Sequence, residues 1–362
     1  MKGNKTLLFW GELPPAVFHG ISLSNERILS ALSAEFDISK VEDNASFGGR
    51  LSALFSFFVS LIKLIRLSGR KVDIYYMNAP MSYLGLCKVY LSILVVKALS
   101  SRVKVISHLH RGDFLDFIQS TRNKRLFERF SFQLDALLVL SKSAAVELGE
   151  SSLIDKNKIK VLHNTVTVIS QKEIISSASD NVLNERYFYC LCNYIPTKRI
   201  HNLVEIVNQI PLANVNFNGT SSGDDYMERL NKLDANSICR FDGVISGDDK
   251  DIKLQHAKAL ILPSLNEGMP LVILESLAQG TPVICFDIGY IRDYIGEDYP
   301  GLVTELTDQA LKDKIIWLNG LSNDDYLLLR SLSFNVFWKQ FDPEIINSTT
   351  STIFKKIVTY QY

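Results

Sequence analysis

Residues 262–284 read Leu-Pro-Ser-Leu-Asn-Glu-Gly-Met-Pro-Leu-Val-Ile-Leu-Glu-Ser-Leu-Ala-Gln-Gly-Thr-Pro-Val-Ile. An apolar strand ends near Leu262. A helix is expected to start close to Pro270, a residue suited to a first helical turn, and to end at Gly280 and Pro282. Leu271, Leu274, Leu277 and Ala278 recur at helical spacing and form its core face. The loop Asn266-Glu267-Gly268-Met269 then presents unpaired backbone N–H groups at a positive helix end, a favourable place for a diphosphate. Gly268 permits close approach to the backbone, and Gly268, Met269, Pro270 and Leu271 make up the expected cradle. Glu267 and Glu275 flank it, and carboxylates accept hydrogen bonds from hydroxyl groups. Taken singly, Glu267 reads as a helix-start carboxylate and Glu275 as a solvated helix residue; the whole string is far more specific than either.

These residues need a frame. At about 150 residues per domain, 362 residues make two domains. With 47% hydrophobic and 22% charged residues, both can bury a core. Short apolar runs alternate with helical patterns: Thr6–Trp10, Ile74–Met77, Val103–His108, Ala136–Leu140 and Lys160–Leu162, then Phe188–Cys192, Val215–Asn218, Ile238–Phe241, Ala259–Leu262 and Pro282–Phe286. Continuous apolar runs suit parallel strands covered on both faces, hence an α/β class. The polar stretch from Ser170 to Glu185 interrupts the pattern and marks a boundary. The expected division is 1–169, a linker at 170–185, a second domain at 186–341, and a helix at 342–362 that can pack back on the first.

The 262–284 string resembles the E-x7-E signature of retaining glycosyltransferase family four, whose fold is GT-B. Pro263, Ser264, Glu267, Gly268, Pro270, Glu275, Ala278, Gly280, Pro282, Val283 and Ile284 carry the likeness. It extends over most of the chain. Residues 11–20, Gly-Glu-Leu-Pro-Pro-Ala-Val-Phe-His-Gly, look like the family's first-strand loop, with His19-Gly20 where a Gly-Gly pair is usual. Ser141 and Asn164 match two strand-end positions. Phe217-Asn-Gly219 and Phe241-Asp-Gly243 match two F-x-G turns, the second leading to the nucleotide base. The family's basic clamp, an Arg followed after four residues by Lys-Gly, is half present in Asn193-Tyr-Ile-Pro-Thr-Lys198-Arg199. Lys198 fits, Asn193 replaces the Arg, and Arg199 either supplies a second charge or points to solvent. Of the strand-end histidines His108 and His110, the latter fits the family's sugar-facing position better, because Gly112 follows. Asp113 is a weaker candidate. His163, His201 and His256 have no case beyond packing or surface.

The resemblance implies two Rossmann-like domains facing across a cleft, the first taking an acceptor and the second a nucleoside diphosphate sugar. A UDP-sugar is the commonest donor. Lys198, Glu267 and His110 form the expected catalytic set. Gly20, Asn193, Arg199, Gly219, Gly243, Gly268, Met269, Pro270, Leu271 and Glu275 form the expected donor set. Configuration would be retained. Backbone N–H groups and Lys198 can do the work of a cation, so neither a metal nor another cofactor is expected. Walker and first-strand G-x-G-x-x-G patterns are missing. The acceptor is expected to be a glycan, lipid-linked as in bacterial surface polysaccharide synthesis, or a small soluble molecule. Asn193 keeps open a third reading, a non-catalytic sugar-nucleotide binder.

The 39 basic and 39 acidic residues give no excess charge for nucleic acid. Five cysteines in no zinc or disulfide spacing suit a reducing compartment. Cys190 and Cys192 are expected on one strand face. Met1–Trp10 reads as a strand rather than a signal peptide, and no run reaches the ~20 apolar residues of a spanning helix. A cytoplasmic protein follows. Leu51–Leu67 with Lys63, Arg66, Arg70 and Lys71, and the cluster Arg122, Lys124, Arg125 and Arg129, fit either buried and solvated helix faces or an anionic membrane surface.

Overall fold

The structure, a computed structural model, describes residues 5–17, 19–43, 50–69, 71–167, 187–211, 213–221 and 223–359, with backbone alone at 50–54. The expected linker at 170–185 and Arg70 lie outside the described residues. The chain divides into two compact units, Met1–Thr165 with Pro343–Tyr362, and Val166–Asp342.

Six strands form the sheet of the first unit: β1 Lys5–Gly11, β2 Phe36–Glu42, β3 Ile74–Asn78, β4 Lys104–Leu109, β5 Ala136–Val139 and β6 Ile159–Val161. Their order is β2-β1-β3-β4-β5-β6, with every pairing parallel. The apolar runs became strands because both sheet faces are covered: β3 is buried from Ile74 to Met77 and β5 throughout. β2 was not expected. Its sequence, Phe-Asp-Ile-Ser-Lys-Val-Glu, buries only Phe36 and Val41, as an edge strand does. The core joins Leu7, Phe9, Tyr76, Ile106 and Leu138 to Ile28 and Leu32 of the Gly20–Leu32 helix.

The last helix, Pro343–Thr359, belongs to this unit. It buries Ile346 and Phe354 in the same core, and the Phe354 ring meets Tyr76 edge-on at 5.3 Å. Its polar side is tied down as well. Arg27 Nη1 donates to Asn347 Oδ1 at 2.9 Å, and Glu35 accepts from Lys355 at 2.7 Å and from Ser351 at 2.8 Å.

The second unit's sheet contains β7 Phe188–Leu191, β8 Val215–Asn218, β9 Cys239–Asp242, β10 Ala259–Leu262, β11 Val283–Phe286 and β12 Leu302–Val303. The order is β12-β11-β10-β7-β8-β9, again all parallel. This is the doubly wound order, reversing between β7 and β10. The two-residue β12 escaped the sequence reading because it is too short to show a pattern. Cys190 and Cys192 do share a face, with sulfurs 3.7 Å apart; all five cysteines are free.

Because Phe354 is fully buried against Tyr76, Phe354→Ala should destabilise the first unit by about 3–5 kcal/mol. Denaturant unfolding followed by a first-unit probe reads this; a loss under about 1 kcal/mol would mean that the helix does not close the core.

Candidate functional site

β7 and β10 are direct neighbours, with Phe188 opposite Ala259 and Tyr189 opposite Leu260. From β7 the chain turns to β8 and β9 on one side; from β10 it turns to β11 and β12 on the other. The loops leaving the carboxyl ends of two such strands open a crevice between them. One is the Cys192–Arg199 segment and the other Pro263–Pro270, so two stretches far apart in sequence meet. Lys198 Nζ donates to Glu267 Oε1 at 2.5 Å. The Lys198 side chain is 27% exposed and that of Glu267 11%. No group among the described residues holds the second Glu267 oxygen.

Lys198 ends a single 3-10 turn, Pro196–Lys198, which Arg199 closes in the left-handed conformation at φ 57°. A side chain there is disfavoured, yet Arg199 is anchored on two sides. Its guanidinium pairs with Asp308 and lies 5.5 Å from the centre of the Phe286 ring. Asn202 Nδ2 donates to the other Asp308 oxygen at 2.8 Å. Arg199 therefore neither stands free as a second charge nor points to solvent: Asp308, which the sequence reading did not single out, takes it. Asn193 is exposed, and its carbonyl accepts from the Ile195 N–H at 2.9 Å.

The helix after β10 spans Leu271–Ala278. Pro270 is its N-cap, at ψ 121°, so the helix starts next to Pro270 as expected. No side chain caps this end. Met269 and Leu271 are buried, so any contact they make with a ligand runs through backbone. Gly280 ends the helix region at φ 66°. Glu275, one turn into the helix, accepts from Lys250 Nζ at 2.7 Å. Lys250 lies on the Gly247–His256 helix; no motif marked it.

The two F-x-G turns lie on the other side of β7. Asn218 Nδ2 donates to the Gly243 carbonyl at 2.8 Å, and the Gly219 N–H to the same carbonyl at 3.3 Å. Lys253 binds Asp242 at 2.8 Å and Asn218 Oδ1 at 3.0 Å. Gly219 is required by space: a Cβ there would lie 2.0 Å from the Cys192 carbonyl oxygen. At Gly243 a Cβ would meet nothing within 4 Å.

The remaining expected residues belong to the first unit. Gly20 opens the Gly20–Leu32 helix behind its N-cap His19, whose Nδ1 accepts from Ile21 and Ser22 N–H groups and whose Nε2 meets Glu12 at 2.8 Å. His110 is buried beside His108, ring centres 4.0 Å apart, and its Nε2 has no partner. Burial, then Arg27 and His19, push its pKa down to about 3, so at neutral pH it is a hydrogen-bonding group and not an acid. His108 Nδ1 meets the Tyr76 hydroxyl at 3.1 Å. Asp113 pairs with Arg111. Ser141 caps its helix at the Ala144 N–H, and Asn164 accepts from Ser24 Oγ at 2.7 Å; both have local structural work. Among the described residues no cluster of three or more His, Cys, Asp or Glu side chains could hold a metal ion.

Residues 171–324 match the family model described as glycosyl transferases group 1. An uncharacterized glycosyltransferase of Methanocaldococcus jannaschii is 25% identical over 239 residues, 65% of this chain and 64% of that relative; the match thus spans just under two thirds of the relative's length. An O-antigen chain mannosyltransferase of Salmonella typhimurium is 22% identical over 320 residues, 84% of this chain and 80% of the relative. In structure, the chain resembles Anabaena HepE, solved with UDP and glucose, at TM-score 0.74 and 15% identity, over 97% of this chain and 100% of that one. Sucrose-phosphate synthase from Thermosynechococcus elongatus aligns at TM-score 0.76 and 14% identity, over 98% and 99%.

Gly219→Ala should destabilise the second unit, because its Cβ collides with backbone, while Gly243→Ala should stay within about 1 kcal/mol. Thermal unfolding of both variants checks this; equal effects would show that Gly219 is not set by close approach.

Proposed function

We propose that the chain moves a sugar from a nucleoside diphosphate sugar, a UDP-sugar in the first instance, to a hydroxyl of a glycan acceptor; the match of residues 171–324 to the group 1 glycosyl transferases supports this. The Lys198–Glu267 pair at the β7–β10 crevice carries this reading. One side chain suits a phosphate and its partner suits a sugar hydroxyl, which is the order of groups along such a donor. The second unit, Val166–Asp342, takes the donor; the first, Met1–Thr165 with Pro343–Tyr362, takes the acceptor.

In the proposed reaction the bond from the anomeric carbon to the leaving phosphate oxygen breaks as the acceptor oxygen bonds to the same carbon. The acceptor proton passes to the leaving diphosphate, and front-face attack retains configuration. Lys198 and the uncapped N–H groups at the start of the Leu271–Ala278 helix offset the charge building on the diphosphate. Glu267 holds a sugar hydroxyl and Glu275 the ribose. His110, neutral, keeps an unpartnered Nε2 within the first unit. Gly243 leads to the base-binding backbone. No step calls for a metal.

Lys198→Ala should lower turnover at least about tenfold, roughly 1.4 kcal/mol of transition-state stabilisation, and wild-type activity should survive EDTA. Transfer assays with UDP-, GDP- and ADP-sugars check both. A silent Lys198→Ala, or activity restored only by magnesium or manganese, would overturn the assignment.

The acceptor is proposed to be lipid-linked, with the first unit resting on an anionic membrane face. What supports this is the Arg50–Ser68 helix. It buries Phe57, Ser60 and Leu64, and exposes Phe55 (73%), Phe58, Ile62 and Ile65 at helical spacing beside exposed Lys63 and Arg66. The neighbouring Tyr83–Leu99 helix exposes Leu84, Leu91 and Leu94. Arg122, Lys124, Arg125 and Arg129 project from the helix Thr121–Phe132. Among the described residues no helix is long and apolar enough to cross a membrane, so contact would be interfacial. The protein should co-sediment with vesicles containing phosphatidylglycerol at low salt and less at high salt, and Phe55→Ser/Phe58→Ser should weaken binding. No binding at low salt would favour a soluble acceptor.

A further inference from the structure

Lys250 sits on the Gly247–His256 helix, which begins shortly after the Asp242-Gly243 turn. Lys253 is one turn further along the same helix, so the two side chains emerge on one face. Lys253 reaches Asp242 and Asn218, the residues before the two F-x-G glycines. Lys250 reaches Glu275 Oε1 at 2.7 Å on the helix that follows β10. One helix face thus fastens the carboxyl ends of β8 and β9 and the Leu271–Ala278 helix to each other.

The Lys250–Glu275 bond is more enclosed than an ordinary surface ion pair, with side-chain exposures of 20% and 11%. It uses one carboxylate oxygen. No group among the described residues holds the other, Oε2. A carboxylate fixed by one oxygen has a defined direction for its second, whereas a free Glu on a helix samples several rotamers. Asp251, beside Lys250, is a half-buried carboxyl raised to about 6, chiefly by burial. Without the lysine charge, two carboxylates would face each other across this corner.

We infer that Lys250 is the positioning residue of the nucleotide end of the site: it locks Glu275 through Oε1 so that Oε2 accepts from a ribose hydroxyl. The inference rests on the proposed function, which gives Glu275 to the ribose. Lys250 itself touches no reacting atom. Its partner in that task is the sugar ring of the nucleoside, so its influence must vanish for a ligand without ribose hydroxyls.

The test is calorimetric titration of the full chain with whichever of UDP, GDP or ADP binds it, and with the 2′,3′-dideoxy form of the same nucleotide. The wild type should prefer the ribose form. Lys250→Gln should weaken the ribose form about tenfold, leave the dideoxy form nearly unchanged, and add nothing further to Glu275→Gln. Lys250→Arg should restore part of the preference, and circular dichroism confirms that each variant is folded. If the wild type binds none of these nucleotides, or binds ribose and dideoxy forms equally, the proposed function or its ribose assignment fails. If the wild type discriminates and folded Lys250→Gln discriminates as well, the inference about Lys250 alone is overturned. If Lys250→Gln fails to fold, Lys250→Arg decides: retained ribose preference supports the inference, and lost preference with a native fold overturns it.

Discussion

Parallel pairing of β7 with β10 is the contact on which the candidate site depends. Seventy or so residues and two further strands separate them in sequence, yet they lie side by side at the point where the sheet order reverses. The reversal sends their following loops to opposite sides, and what remains between them is open at the carboxyl ends. Lys198 and Glu267, 69 residues apart, can meet only because of it. Further contacts in the second unit brace this junction. Arg199 is held by Asp308 from beyond β12, and Lys253 binds the turns after β8 and β9. Gly219 lets the loop after β8 lie against the Cys192 carbonyl without a gap.

A good part of this was legible from residue types. Val215–Asn218 and Ala259–Leu262 are strands over the expected residues, because a strand covered on both faces is written as an uninterrupted apolar run. The Leu271–Ala278 helix was legible from leucine spacing and from Gly280, which ends it at positive φ. β2 was not legible, since an edge strand that buries two residues in seven has no apolar run to show.

Pairing was the least legible layer. Arg199 and Asp308 are 109 residues apart, and Lys250 and Glu275 are 25 apart on different helices. Nothing local in either sequence segment announces the partner. The left-handed Arg199 illustrates why. Where a glycine is usual, an arginine carries a conformational cost, and only tertiary contacts with Asp308 and Phe286 make the position tenable. The histidines show the converse. His110 was legible as a strand-end residue facing out of β4, but its neutrality follows from burial, which residue type does not reveal.

The pairs also set what can enter the crevice. Lys198, Lys250, Lys253 and Arg199 each meet a carboxylate: Glu267, Glu275, Asp242 and Asp308. The site is thus electrically balanced without a ligand, despite its several cations. A diphosphate that recruits Lys198 must take it from Glu267, and Glu267 is then a half-enclosed carboxylate without its cation, which is unfavourable in low dielectric. A ligand that also carries hydroxyl groups beyond the diphosphate supplies Glu267 with new donors. On the proposed reading the intact donor therefore satisfies both halves of the split pair, and the departing diphosphate only one. The same ion pair that keeps the empty crevice neutral then favours the sugar-bearing ligand over the product that has lost its sugar.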